Sequence, residues 1–124
     1  MKRTLAAIII ICFFQTVNAQ LANTSWTGSV TAGGGTINVL WKLTADSSFF
    51  YNSDDNSLLD VSVFKVQDSL VTIKKVSGLS GCDGAEGVYT FNVTEKELKL
   101  YLVKDDCYDR SDALNKSVFV KQDN

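Results

Sequence analysis

The chain has 124 residues, of which 45% are hydrophobic, and it carries 12 basic and 14 acidic side chains but no histidine and no proline. The absence of histidine excludes Ser-His-Asp and Cys-His catalysis as well as histidine-ligated zinc. A slightly negative net charge with dispersed lysines argues against nucleic acid or an anionic membrane surface as a partner.

The N-terminus has the pattern of a secretory signal peptide. A short basic start precedes an unbroken apolar run over 5–14, and a small-residue cleavage pattern over 17–19 follows it. The run of ten apolar residues is too short to span a bilayer, which needs about 20. We predict cleavage after Ala19, with Cys12 lost in the signal, and export to the periplasm or the extracellular medium.

The remaining residues, 20–124, are predicted to form one domain that does not insert into a membrane. This length is sufficient for a single hydrophobic core. Loss of Lys2 and Arg3 reduces the basic residues to 10 against 14 acids, so the net charge of the mature chain is −4. Two cysteines remain, Cys82 and Cys107, and an even count in an exported protein predicts one disulfide. A reactive thiol would need an activating base.

Eight stretches of alternating apolar and polar residues follow the predicted signal, and this period-two pattern is typical of half-buried strands. Sequential strands with short, turn-rich connections favour antiparallel pairing with the nearest neighbour, and eight of them close into an up-and-down barrel without exposed edges. The predicted fold class is therefore all-β, with one helical turn at 111–115 before the last strand. The predicted strands cover 24–31, 36–44, 48–52, 58–66, 69–76, 87–93, 97–104 and 116–121.

The acidic segment 105–115, "DDCYDRSDALN", interrupts the alternating pattern and raises the question of a calcium site. A calcium loop that begins at Asp105 would have Arg110 at position 6, where glycine is needed, and Lys116 at position 12, where glutamate is needed. The pair Asp54 and Asp55 lacks further spaced ligands and indicates a turn. We therefore predict no metal site and no cofactor.

Two segments resemble lipocalin-like (calycin) barrels. "NTSWTGSV" over 23–30 is similar to the first strand of that family, with Thr24 where most members have the glycine of a G-x-W motif before Trp26. "GVYTFNVTEKELKLYLVKDDCYDR" is similar to the last strand pair of small bacterial members, where an acidic turn carries D-x-C-x-x-R at Asp105, Cys107 and Arg110. The T-D-Y motif of larger lipocalins is not present.

The resemblance implies a non-catalytic protein that binds a small hydrophobic or amphipathic molecule inside the barrel. It also implies that Arg110 packs across Trp26 and closes one barrel end, while a Cys82–Cys107 disulfide ties the same turn to the loop 77–87. We therefore interpret the segment 105–115 as a structural latch.

Side chains expected on the inward faces give aromatic walls suited to an amphipathic ligand. An eight-stranded barrel can also be filled completely by its own side chains. The alternative is therefore a protein-interaction or inhibitor module with a filled core, which would use the loop 77–87 as its contact surface. The predicted ligand-binding residues are Trp41, Phe49, Tyr51, Val63, Tyr89, Phe91 and Leu100.

An enzyme that relies on carboxylates alone is the third hypothesis. Asp60, Asp83, Glu86 and the acids of 105–112 supply enough carboxylates for an acid–base pair. Most of them lie in predicted turns or beside lysines, where a solvated carboxylate is the ordinary state. We predict that the protein is not an enzyme.

Overall fold

A computed structural model describes residues 20–122, so the predicted signal peptide and its cleavage site lie outside the described residues. These residues form a closed barrel of eight strands, in which each strand pairs with its neighbours in sequence and β1 pairs with β8. The strands are β1 (Thr24–Ala32), β2 (Gly35–Leu43), β3 (Ser47–Asn52), β4 (Leu58–Gln67), β5 (Leu70–Gly78), β6 (Glu86–Val93), β7 (Glu97–Asp105) and β8 (Val118–Lys121).

The predicted fold class is confirmed: all pairings are antiparallel, and one short helix, α1 (Tyr108–Leu114), precedes the last strand. The helix begins three residues before the segment predicted for it, 111–115. Among residues 20–122, no helix is long and apolar enough to cross a bilayer.

The barrel has two ends, which we name by their connections. The upper end carries the connections that follow β1, β3, β5 and β7, and α1 belongs to the last of these. The lower end carries the connections that follow β2, β4 and β6, together with the start of β1 and the end of β8. Strand direction therefore decides at which end a loop residue lies.

Two tryptophans anchor the core of the barrel. The Trp41 ring stacks on Phe50, with ring centroids 4.8 Å apart, and tilts against Phe119 at 5.0 Å. The Trp41 indole Nε1 donates a hydrogen bond to Ser48 Oγ at 2.6 Å. Trp26 is 1% exposed. Large aromatic side chains contribute most of the apolar area that a small core buries, and a partner for each buried indole removes the cost of an unpaired donor.

The inner face of β3 differs from the prediction. Phe50 contacts Trp41 inside the barrel, and successive side chains of a strand point to opposite faces. Phe49 and Tyr51 therefore lie on the outer face, where the Lys42 ammonium sits 5.5 Å from the centre of the Tyr51 ring. Three consecutive aromatic residues fit a period of two in either register, so the expectation that Phe49 and Tyr51 face inward was wrong.

In β4, too, the side chains that face the interior are one residue away from those predicted. Val63 is 43% exposed, whereas its neighbours Ser62 and Phe64 are 5% and 4% exposed. The inner face of β4 is thus the one that carries Phe64, and the expectation that Val63 faces inward was wrong. Both faces of this strand contain aliphatic side chains, so hydrophobicity alone does not identify the buried one.

The helix α1 completes the barrel wall where β8 is too short to do so. The four-residue strand β8 pairs with β1 through two residue pairs only, both near the lower end. Towards the upper end, α1 packs against β1 and β7, and Leu114 is buried there. The Lys116 amide donates to Leu100 O at 2.8 Å, and the Leu102 amide donates to Asn115 Oδ1 at 2.9 Å. These bonds satisfy β7 where no strand lies beside it.

Gly28 of β1 provides a stability test of this seam. A Cβ atom at Gly28 would lie 2.8 Å from Phe119 Cδ1 and 3.1 Å from Val118 O. Gly28→Ala is expected to lower the free energy of unfolding by about 1–3 kcal/mol, because the added methyl overpacks a filled region. Urea-induced unfolding measures this change.

Gly35→Ala in β2 is the matched control, because a Cβ there would meet its nearest atom, Ala32 O, at 3.8 Å. Its free energy of unfolding is expected to stay within about 0.5 kcal/mol of that of the wild type. Equal destabilisation by the two substitutions would contradict the close packing of β1 against β8.

Candidate functional site

A carboxylate at the end of β7 holds the segment 105–115 to the barrel. Asp105 Oδ2 accepts from Arg110 Nε at 2.7 Å, and Asp105 Oδ1 accepts from Arg110 Nη2 at 2.7 Å and from the Cys107 amide at 2.8 Å. The Tyr89 hydroxyl also donates to Asp105 Oδ2. Gly87 faces Asp105 on β6, and any side chain there would collide with the carboxylate. Four donors therefore converge on one buried anion.

This convergence fixes the charge states of the three side chains. Burial alone would raise the pKa of Asp105, but hydrogen bonds from Arg110, Tyr89 and the Cys107 amide outweigh burial and lower it. Burial would lower the pKa of Arg110, yet the Asp105 carboxylate raises it. Burial, and then the hydrogen bond to Asp105, raise the pKa of Tyr89. At neutral pH the site is an ion pair beside a neutral phenol.

The predicted disulfide is confirmed: Cys82 and Cys107 are bonded, with their Cα atoms 5.6 Å apart. It joins the loop between β5 and β6 to the residue that precedes α1. Arg110 Nη1 donates to Ala85 O in the same loop at 3.1 Å, so loop and helix are connected twice. Closing a loop of 26 residues is worth roughly 3–4 kcal/mol in chain entropy. From here on, the name latch refers to Tyr89, Asp105, Arg110 and the Cys82–Cys107 bond, and no longer to the whole segment 105–115.

The expected contact between Arg110 and Trp26 was wrong. Trp26 pairs with Lys121 near the lower end of the barrel, whereas Arg110 binds Asp105 at the upper end. The reason is topological, because Arg110 precedes β8 and is separated from the lower end by the length of that strand. A bidentate carboxylate is also a stronger partner for a guanidinium than an aromatic ring.

A cavity of about 330 Å³ lies inside the upper half of the barrel. Its volume is at the lower limit of pockets that bind small molecules, about 300–1,000 Å³. Most of the wall is aliphatic or aromatic, and the latch contributes Cys107 and Arg110. The apolar wall includes Val30, Ile37, Val39, Phe50, Ile73 and Leu114, and the polar side chains at the cavity are Asp60, Ser62, Ser80, Lys75, Asp109 and Arg110.

None of the seven residues predicted to bind a ligand lines this cavity. Trp41, Tyr89 and Leu100 are buried in the core, and Phe91 packs partly buried against it. Phe49, Tyr51 and Val63 lie on the outer face, as described above. Four of the predicted residues thus belong to the core and three lie outside it, whereas the open space lies towards the upper end, among mainly aliphatic side chains.

The polar residues of the cavity were missed at the sequence level. Asp60 and Ser62 are in phase with the buried Phe64 along β4, so two polar positions interrupt an inward face. Lys75 of β5 pairs with Ser62 of β4 and is 5% exposed. The sequence signal for these residues was the two-residue spacing of Asp60, Ser62 and Phe64, which places them on one face of β4. This spacing identifies cavity residues only once Phe64 is known to face inward.

A β-bulge brings Leu59 to the cavity beside Asp60. Phe50 pairs with Asp60 and Tyr51 pairs with Leu58, so Leu59 has no partner on β3. Bulges re-aim side chains, and Leu59 and Asp60 both line the cavity although they are consecutive. The Ser80 amide donates to Asp60 Oδ1 at 3.2 Å, which fixes the carboxylate from the loop after β5.

Lys75 supports the same loop from inside the barrel. Its ammonium donates to Asp83 Oδ1 at 2.7 Å, to Gly81 O at 3.4 Å and to Ser80 O. The Lys75 side chain is 3% exposed, whereas that of Asp83 is 88% exposed. The loop thus accepts hydrogen bonds from the Lys75 ammonium at three positions, so Lys75 supports the loop from below. Within residues 20–122, no group of three or more carboxylate or cysteine side chains is placed to hold a metal ion.

Comparisons with protein-family models, with curated proteins and with solved structures give no match to this chain. Eight sequential antiparallel strands in a closed barrel are compatible with the lipocalin-like fold that the sequence resembles. A barrel of this kind serves many functions, so the function has to be inferred from the chemistry of the site.

Substitution of Asp105 tests the latch. Asp105→Asn leaves the Arg110 guanidinium without its anion, and we expect the free energy of unfolding at pH 7 to fall by about 3 kcal/mol. The folded pKa of Asp105 is lowered, so its stabilisation is complete above the unfolded pKa of about 3.9 and is lost as pH falls through the folded pKa. The difference between wild type and variant should therefore shrink in strong acid.

Urea-induced unfolding at pH 7 and in strong acid measures both effects, with Asp106→Asn as the control because Asp106 is adjacent and exposed. Equal effects of the two substitutions at pH 7, or a cost of Asp105→Asn that is independent of pH, would contradict the assigned role of the carboxylate.

Proposed function

We propose that this protein is an exported, non-catalytic, lipocalin-like (calycin) binding protein that holds a small hydrophobic or amphipathic molecule in the cavity at the upper end of the barrel. The observation that carries this proposal is the cavity itself, about 330 Å³ with a mainly apolar wall. A water molecule occupies about 30 Å³ in the liquid, so the space corresponds to about ten waters. Such a volume suits an organic molecule better than a single structural water.

The latch supports the proposal because it fixes one wall of the cavity. Cys107 and Arg110 belong to both the latch and the cavity wall. A wall held by a disulfide and a bidentate ion pair does not have to be ordered when a ligand enters, and a preformed site loses less free energy on binding. Burial of the ligand's apolar surface then contributes about 25 cal/mol per Å² before the cost of association.

The two cations of the cavity wall support binding without catalysis. Lys75 is paired with Asp83, and Arg110 is paired with Asp105, so each cation holds a loop in place. Neither cation is positioned as a free acid or base toward the cavity. The geometry resembles a scaffold more than a proton-transfer pair.

The disulfide supports the exported part of the proposal. Disulfides persist in the periplasm and outside the cell and are rare in reducing compartments, and Cys82 and Cys107 are bonded in this domain. Export agrees with the signal-like N-terminal pattern over 1–19. Membership of the calycin group rests on strand number, antiparallel order and closure.

Binding of a neutral apolar dye, N-phenyl-1-naphthylamine, tests the proposed function. The mature protein should enhance the dye's fluorescence in a saturable way. Ile37→Trp should lower the dye affinity at least tenfold, because Ile37 lines the cavity and the larger indole would occupy the space. The readout is the dissociation constant from a fluorescence titration, with far-UV circular dichroism to verify the fold.

The matched control is Val63→Trp, which adds the same indole on the outer face at a position that is 43% exposed. This variant should bind the dye as the wild type does. Absence of saturable binding to the folded wild type, or an equal loss in both variants, would refute the cavity as the binding site.

A protein partner at the upper end is the second candidate function. The observation that favours it is the exposure of two large apolar side chains beside the latch, Leu79 at 82% and Tyr108 at 76%. Large apolar side chains exposed at one end of a domain are a feature of interaction surfaces. Replacement of Tyr108, which does not line the cavity, by serine should weaken a specific protein complex and leave dye binding intact, which separates this function from the first.

A further inference from the structure

Among the described residues, the cavity wall carries two cations that form ion pairs and two carboxylates that form none. Lys75 is neutralised by Asp83 at 2.7 Å, and Arg110 is neutralised by Asp105 at 2.7 Å. The other two charged residues at the cavity are Asp60 and Asp109, and neither forms an ion pair within residues 20–122. Both cations of the wall are thus paired with carboxylates that do not line the cavity, whereas the two lining carboxylates form no ion pair in the described part of the chain. A concave site with low-dielectric walls strengthens the negative potential at such a carboxylate.

Asp60 presents an available acceptor to the cavity. One carboxylate oxygen, Oδ1, accepts from the Ser80 amide, and Oδ2 has no hydrogen-bond partner among the described residues. The bond from the Ser80 amide holds the carboxylate in place, so it is preorganised for a donor. Phe50 pairs with Asp60 across the strands and lines the same cavity, and an aromatic face also attracts a cation.

Ser62 adds a second, independent acceptor. It is 5% exposed and lines the cavity, yet its hydroxyl makes no hydrogen bond with any residue in 20–122. No fully enclosed side-chain oxygen among the described residues lacks a partner, so this hydroxyl opens onto the cavity, where a ligand can pair with it. Ser62 lies two residues from Asp60 on the same face of β4, about 7 Å away along the strand. A single ammonium group between them can donate to both.

We propose that the ligand is an amphipathic primary amine whose ammonium group binds between the Asp60 carboxylate and the Ser62 hydroxyl while its apolar part fills the cavity. This inference rests on the proposed function and specifies the polar end of the ligand. The apolar part lies against side chains such as Val30 and Ile73, which line the same cavity.

Anionic and neutral amphiphiles fit the same space less well. A carboxylate or phosphate group would face Asp60 and Asp109 and would have to displace Asp83 from Lys75 to find a cation. An alcohol can pair with Ser62 but gains nothing from the negative potential. Charge-assisted hydrogen bonds are roughly twice as strong as neutral ones, so the amine should bind tightest of the three.

Three ligands with the same eight-carbon chain provide the test: octylamine, 1-octanol and octanoic acid. Each displaces the neutral dye from the mature wild-type protein at pH 7, and the dissociation constants are compared. Octylamine is expected to bind at least tenfold tighter than octanol, and octanoic acid is expected to bind weakest. Asp60→Asn, which keeps Oδ1 for the Ser80 amide, should weaken octylamine about tenfold and change octanol by less than about twofold.

Two further variants complete the design. Asp68→Asn removes the same charge from the exposed connection between β4 and β5, at the lower end, and should leave all three affinities unchanged. Ser62→Ala removes a hydroxyl that has no partner in the protein, so it should preserve the fold and weaken both octylamine and octanol. Urea-induced unfolding verifies that each variant retains its stability.

The outcomes separate this inference from the proposed function. Octanoic acid binding as tightly as octylamine, or octylamine binding unaffected by Asp60→Asn while dye and octanol still bind, would overturn the amine assignment and leave the binding function standing. Failure of the dye and of all three ligands to bind the folded protein would overturn both.

Discussion

The Asp105 carboxylate is the interaction on which the upper end of this barrel depends. It accepts hydrogen bonds from Arg110, Tyr89 and the Cys107 amide and thereby joins β6, β7 and the start of α1. Its side chain is fully shielded from solvent, so removal of one member would leave a buried polar group unpaired, which is costly. The disulfide between Cys107 and Cys82 also fixes the loop after β5 to these residues.

The latch also explains why a barrel of this size contains open space. β8 is short, and α1 takes its place against β1 and β7. A helix cannot send alternate side chains into the interior as a strand does, and Leu114 is its buried contact. The core beneath is filled by Trp41, Tyr89 and Phe119, while the region under the helix remains open and borders the charged side chains that support the loops. The architecture that closes the wall therefore also leaves the cavity.

The sequence predicted the architecture better than the site. Period-two alternation and the cysteine count were sufficient for eight strands, antiparallel order, closure and the disulfide, because these depend on repeated local signals. The inward face of β3 and of β4 could not be predicted, since aliphatic or aromatic residues occur on both faces and only the bulge at Leu59 and the contact of Phe50 with Trp41 decide the register. The role of Arg110 was predicted as a latch but with the wrong partner, because the resemblance did not specify the barrel end at which it lies.

The most direct test of the account is a map of where an apolar ligand binds. Backbone amide chemical shifts of the isotope-labelled protein from residue 20 onward would be recorded by NMR during titration with N-phenyl-1-naphthylamine. The account predicts that the largest changes occur at Val30, Ile37, Ser62, Ile73 and Leu114, which surround the cavity. Changes confined to the outer face or to the lower-end connections, with these five amides unaffected, would contradict it.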